Sequence, residues 1–137
     1  MKIRTDWLDV FPLGRRFSAA FLMAFAAISW NAVHAQVSVT ATAGTTGPTS
    51  YTTVSAAFAA INAGTHQGAV TIAITNNTTE LAAPTALLKS ASPSSYTSVL
   101  ITPSGGNFTI GGTITANRAI IELNGADNVT IDGDDPN

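Results

Sequence analysis

Residues 132–137 read DGDDPN, and Asp132, Asp134 and Asp135 form the densest set of carboxylates in this chain of 137 residues. A calcium ion needs roughly six to eight oxygen ligands converging on one point. With Asp127 added, these side chains could begin such a site. The same letters suit a solvated turn, where Asp and Gly supply local hydrogen bonds and backbone freedom, and that reading is preferred.

The other groups capable of chemistry are scattered. Glu80 and Glu122 are the two glutamates. A glycosidase pairs two carboxylates across the scissile bond, but these two fall in different strand segments and nothing in the sequence joins them. Nucleophilic catalysis needs a base beside Ser or Thr, and the one histidine beyond residue 35, His66, lies in GTHQG and reads as an exposed loop histidine. Zinc lacks ligands, since the chain has no cysteine. Arg118 precedes a strand and is expected on an outer face. Gly105-Gly106 and Gly111-Gly112 read as turns between strands and not as a phosphate cradle. No catalytic, cofactor-binding or metal-binding residue is assigned, and no cofactor is expected.

Holding any of these residues in place falls to short apolar runs. Residues 36–39, QVSV, read as a strand, followed by a Thr, Gly and Pro-containing loop to residue 50. In YTTVSAAFAAINAG, Val54, Ala57, Phe58 and Ile61 recur at helical spacing. Thr52 or Thr53 can cap the start, and Gly64 suits a left-handed stop. A helix of about ten residues is marginal alone, so it must dock. In GAVTIAITNN, Val70, Ile72 and Ile74 alternate with polar or small residues, as in a half-buried strand. Residues 81–95 form a looser segment with a turn of helix expected near residues 85–89. SVLITPSGG, NFTIGG, TITAN, RAIIELNGAD and NVTIDG then follow.

Two of these runs nearly repeat. Residues 99–112, VLITPSGGNFTIGG, align without a gap on residues 120–133, IIELNGADNVTIDG. A period near twenty marks a solenoid, whose units bury their inward faces only by stacking. On this spacing Ile110 and Ile131 share one interior position on successive rungs, about 4.8 Å apart. Phe108 and Val129 stack likewise. Asn107 and Asn128 either pair as a ladder or simply serve turns. Thr109 and Thr130 face outward. Residues 70–74 supply the preceding rung, placed 29 positions before Val99. About three rungs result, with the helix covering the first and hiding its unpaired edge.

Ahead of this domain lies a different segment. Lys2, Arg4, Arg15 and Arg16 lead into the uncharged run FSAAFLMAFAAISW and then NAVHA. The run is shorter than the roughly 20 residues needed to span a bilayer. It has the form of a secretory signal with cleavage after Ala35. An uncleaved anchor is the alternative, and the flanks of Arg15-Arg16 do not suit the twin-arginine route. Beyond residue 35 only Lys89 and Arg118 are basic against six acidic residues, a net charge of −4. No basic patch remains to neutralise phosphates, which excludes nucleic acid as an expected partner.

The order YTTVSAAFAAIN, then VTIAITNNTTE, then LNGADNVTIDG resembles the opening of right-handed parallel β-helix proteins of the pectin lyase-like superfamily. It is most similar to the N-terminal region of large secreted β-helix proteins of Bacteroidetes. The resemblance covers residues 51–133 and implies a capped all-β parallel β-helix. Members usually continue for many more rungs and often end in a sorting domain, so this chain reads as a truncated piece. The lyases of that superfamily hold calcium with clustered carboxylates and use an Arg or Lys base, but the same fold also hosts hydrolases, esterases and adhesins.

The organisation expected is a signal peptide over residues 1–35, a strand and loop over 36–50, and a cap with the first rungs over 51–137. An antiparallel β-sandwich is the alternative fold. The function expected is that of a non-catalytic secreted or cell-surface segment with a structural, adhesin-like role, contacting a glycan or protein surface. The alternative is the N-terminal fragment of a polysaccharide-degrading β-helix enzyme. No membrane contact is expected after signal cleavage, and the open last rung invites self-association.

Overall fold

A computed structural model describes residues 34–134, so the signal-peptide reading of residues 1–35 falls almost wholly outside the described residues, as does Asp135. The described chain is all-β with one short helix. It begins with a hairpin, β1 (Val37–Gly44) and β2 (Thr49–Tyr51), paired antiparallel. Strand therefore runs well beyond the four residues expected. Residues 40–44 and 49–50, expected in a loop, belong to the hairpin, because β1 also pairs along its length with β3 (His66–Ile74).

The helix α1 (Val54–Asn62) lies where the spacing placed it. Thr53 is its cap, with Oγ1 accepting from the Ala56 amide at 3.0 Å. Val54, Ala57, Phe58 and Ile61 are buried. The helix ends as the Gly64 amide donates to the Ile61 carbonyl, and Gly64 takes φ +76. A Cβ there would also sit 2.4 Å from the Pro93 carbonyl oxygen, so glycine is required twice over.

Beyond β3 the pairing becomes parallel. β6 (Tyr96–Pro103) lies beside β3, and β9 (Val129–Ile131) beside β6, giving one mixed sheet in the order β2-β1-β3-β6-β9. Two smaller parallel pairs complete the structure. β4 (Thr78–Thr79) joins β7 (Ile110–Gly111), and β5 (Leu87–Leu88) joins β8 (Leu123–Asn124). The strands of an antiparallel sandwich would run against one another, whereas these run together. The short strand β5 replaces the turn of helix expected near residues 85–89. There the Leu87 amide donates to the Glu122 carbonyl at 2.9 Å.

The core is a set of columns running from strand to strand. Val70 pairs with Val99 and Val99 with Val129; Ile72 pairs with Ile101 and Ile101 with Ile131. The link from Val70 to Val99, 29 positions apart, is the one expected from the sequence. The 21-residue repeat is not a stacking period. Ile110 pairs with Thr78 in one sheet, while Ile131 pairs with Ile101 in another. Both copies are a turn followed by a short strand, and that shared local need makes them look alike. Asn107 and Asn128 form no ladder either. Asn128 takes φ +53 and its Nδ2 donates to the Thr97 carbonyl at 3.1 Å. The 21-residue ground for stacked rungs is thereby removed, and any such reading must rest on the spacing of near thirty residues.

The helix does not cover the edge of β3, because β1 does. It closes the apolar end of the core and guards β5 instead. Asn62 donates from Nδ2 to the Ala86 carbonyl at 2.8 Å and accepts the Leu88 amide on Oδ1 at 3.0 Å, standing in for a neighbouring strand. The register sets an order of sensitivity. Ile101 is 1% exposed and Ile131 is 55% exposed. In denaturant unfolding, Ile101→Ala should lose about 2–5 kcal/mol and Ile131→Ala less than about 1 kcal/mol. Equal losses would contradict the observed register.

Candidate functional site

Glu80, Glu122, Arg118 and His66 each have hydrogen-bond partners within the fold. Glu80 directly follows β4, which carries its carboxylate to the N-terminus of α1. Oε1 accepts the Val54 amide at 2.9 Å and Oε2 accepts the Ser55 amide at 3.0 Å. The side chain is buried. Free amides and the helix dipole both favour a negative charge at that point. With both oxygens engaged on backbone and away from solvent, Glu80 is not presented to a ligand.

Glu122 lies just before β8 and is held by Arg118, whose Nε and Nη2 donate to Oε1 at 2.5 Å and Oε2 at 2.7 Å. The same Nη2 donates to the Pro84 carbonyl at 2.6 Å, and the Ala119 amide donates to Oε1 at 3.0 Å. Arg118 thus faces outward as expected, with its Nε and Nη2 engaged in stapling residues 112–122 to the loop before β5. The bidentate contact lowers the Glu122 carboxyl below its ordinary range, with the Ala119 amide helping, and raises the Arg118 guanidinium. Glu80 and Glu122 have separate partners, and no hydrogen bond joins them.

His66 is not the exposed loop residue expected. It opens β3 and is fully buried. Its Nδ1 lies 2.6 Å from the Thr45 carbonyl oxygen and its Nε2 lies 2.8 Å from the Tyr51 hydroxyl. A carbonyl only accepts, so Nδ1 carries the proton and the Tyr51 hydroxyl donates to Nε2. The rings meet edge to face at 5.9 Å. Burial raises the Tyr51 hydroxyl above its ordinary pKa, which keeps it a donor. The imidazole pins β2 and the hairpin turn to β3, with neither nitrogen free to activate a nucleophile.

Asp127, Asp132 and Asp134 are exposed. The Asp134 amide donates to Asp132 Oδ1 at 3.0 Å, a local turn contact. Among the described residues no group of three or more His, Cys, Asp or Glu side chains is placed to hold a metal.

Beyond β9, β7 and β8 no further strand is paired among the described residues. Phe108 and Ile110 are half-buried there, and Ile131 and Leu123 are exposed at 55% and 46%. A hollow of about 140 Å³ opens between Ile101, Phe108, Ile110 and Ile131, with Asp132 on its rim. The Leu123 side chain belongs to the column that begins with the buried Leu87. The opposite end is sealed by β1 and α1. The only clue to this feature in the sequence is the recurrence of Val-x-Ile at residues 70–72, 99–101 and 129–131.

Comparison with protein-family models, with curated proteins and with solved structures finds no match.

Two outcomes follow from the carboxylates. Glu80→Gln should cost about 1–2 kcal/mol in chemical unfolding, since the charge at the helix terminus is lost while one acceptor remains. A variant as stable as the parent would show that the cap contributes nothing. For Glu122 the folded carboxyl is lowered, so its contribution is present at neutral pH, above the unfolded value, and is lost as pH falls through the folded value. The stability difference between the parent and Glu122→Gln should therefore be small at neutral pH, as for any exposed pair, and vanish in acid. A difference that grew in acid would reverse this assignment.

Proposed function

We propose that this chain is a non-catalytic segment of a secreted or cell-surface protein, forming the capped first coils of a right-handed parallel β-helix with a structural, adhesin-like role. One observation carries the reading. Strands joined in parallel come in the same order twice, β3-β4-β5 and then β6-β7-β8, each pairing with its counterpart roughly thirty residues away. A chain that visits the main sheet and two small ones in turn and returns one strand higher is coiling.

Export is supported by the segment before residue 36 and by where the sheet begins. The Gln36 amide donates to the Tyr51 carbonyl at 3.0 Å, and its carbonyl accepts the Thr75 amide at 2.9 Å. His34 and Ala35, just ahead, are exposed. Cleavage after Ala35 would leave every one of these contacts intact. The non-catalytic part of the reading is supported by the occupied state of Glu80, Glu122, Arg118 and His66. The outer face of the main sheet carries Thr40, Thr71, Thr102 and Thr130 on neighbouring strands, a hydroxyl-rich surface for a glycan or protein.

Expression of the whole chain in a Gram-negative host tests both halves. Exported material should begin at Gln36 by N-terminal sequencing. The purified protein should release neither unsaturated nor reducing sugar ends from acidic or neutral polysaccharides, with or without calcium. Export with Met1 retained would remove the signal assignment. Sugar release lost on mutation of Asp132, Asp134 or Asp135 would remove the non-catalytic one.

A further inference from the structure

We propose that a hollow on the outer face of β5 binds a carboxylate carried on a short aliphatic body, either a free small acid or the last residue of a peptide. The hollow has a volume of about 320 Å³, and Asn62, Leu88, Lys89, Pro93, Ser94 and Asn124 are among the residues that line it. Ligand pockets span roughly 300–1,000 Å³, so the occupant is small. Leu87 is fully buried while Leu88 is 42% exposed, because successive side chains of β5 point in and out. Asn124 pairs with Leu88 and is exposed on the same outer face. A strand added beside β8 would extend this face and leave the hollow as it is.

Two polar groups of the hollow lack partners among the described residues. Ser94 is 2% exposed, and its Oγ has no hydrogen-bond partner. Buried hydroxyls are nearly always bonded, so one that is not calls for a partner. Lys89 is exposed and pairs with no carboxylate among the described residues, whereas Arg118 is taken by Glu122. The Lys89 stem lies against the end of β8, where a Cβ on Gly125 would stand 3.8 Å from its Cδ. Asn62 has both ends of its amide committed, to the Ala86 carbonyl and the Leu88 amide, and serves as wall.

These groups select the class of occupant. One oxygen of a carboxylate accepts from the Ser94 hydroxyl while the other faces the Lys89 ammonium, a charge-assisted contact. The aliphatic body lies on Leu88 and Pro93 and removes their apolar surface from water. A phosphate dianion is disfavoured, because one ammonium among aliphatic walls does not replace the water that the second charge gives up. No aromatic side chain lines the hollow, so a flat ring has nothing to stack on. Asn124 carries an amide that would meet the peptide group preceding a C-terminal carboxylate, which makes the two sources separable. The proposal rests neither on export nor on a lack of catalysis.

The test is an NMR titration of the purified, isotope-labelled full-length chain with N-acetyl-leucine, N-acetyl-leucinamide, isocaproate and acetate. N-acetyl-leucine should shift the backbone amides of Leu88, Lys89 and Ser94. It should bind at least about ten-fold more tightly than N-acetyl-leucinamide, since a hydrogen bond to a charged group supplies that factor. Acetate, which lacks the aliphatic body, should bind weakly. Isocaproate keeps the body and the charge without the peptide group. Binding as tight as that of N-acetyl-leucine makes the occupant a free acid, weaker binding makes it a C-terminal residue, and both uphold the site. Lys89→Gln should remove the preference for the carboxylate while leaving the far-ultraviolet circular dichroism unchanged. Ser94→Ala should weaken N-acetyl-leucine without lowering the unfolding midpoint, because it deletes an unpaired hydroxyl. Equal binding of N-acetyl-leucine and its amide, no shift from either, shifts confined to residues outside the hollow, or undiminished binding by Lys89→Gln would each overturn the proposal.

Discussion

The parallel ladder through Val70, Val99 and Val129 is the constraint on which the rest depends. Parallel strands cannot be joined by a tight hairpin, so each link between neighbours must make a long excursion. Here the excursion is itself put to use. Between β3 and β6 the chain lays down β4 and β5, and between β6 and β9 it lays down β7 and β8. The small sheets are thus a consequence of the large one, and each is only as well placed as the ladder that sets its height. Buried Val and Ile on β3 and β6 hold that ladder from the inside, and no disulfide assists.

The first parallel strands, β3 and β5, have edges and an apolar side that would face water, and the protein closes them with different devices for different groups. Backbone closes backbone where the exposed strand is long, as β1 pairs along β3. An amide side chain suffices where the strand has two residues, as Asn62 does for β5. The apolar interior needs area, and α1 supplies Val54, Ala57, Phe58 and Ile61. The helix brings four unpaired amides of its own. Thr53 and Glu80 take three of them, and Ser55, one residue into the helix, accepts the Thr85 amide at 2.6 Å through its hydroxyl. Helix α1 and the segment carrying β4 and β5 are therefore bonded through side chains that a helix-only view would count as surface.

Local periodicity made much of this legible, and non-local partners hid the remainder. The face of α1, the alternation in β3 and the link from Val70 to Val99 all follow from apolar spacing, which burial imposes directly. The likeness of NFTIGG to NVTIDG misled because the same turn-strand motif serves two different sheets. The short Val-x-Ile motif was the true stacking signal, and three letters are easily overlooked beside six. His66 looked exposed because glycine surrounds it. Gly68, at φ +72, instead marks an irregularity inside β3, where the register with β6 shifts. The carbonyl and hydroxyl that accommodate His66 come from residues 45 and 51, too distant to be read from GTHQG. Glu80 followed two threonines like any polar turn, and only the docked helix gives its burial a reason.

Spacing between paired strands differs from sheet to sheet, and this separates the parts that may vary from those that may not. Paired residues are 29 and 30 positions apart in the main sheet, as in Val70 to Val99 and Val99 to Val129. They are 32 apart from Thr78 to Ile110 and 36 apart from Leu87 to Leu123. The surplus accumulates in the connections after the first and second strands of a level and is given back before the next level of the main sheet. Insertions thus leave the Val and Ile columns in register. The longest connection, residues 112–122, would be free to wander were it not tied down. Thr115 bonds the Ala82 carbonyl through both its amide and its hydroxyl at 2.8 Å, and Arg118 reaches Pro84 and Glu122. Gly112 passes so close to the Glu80 backbone that a Cβ would meet its carbonyl oxygen at 2.8 Å. The variable corner is fastened to the level beneath it through the backbone on either side of the glutamate that caps the helix, so the lengthened loop and the sealed end are parts of one connected support.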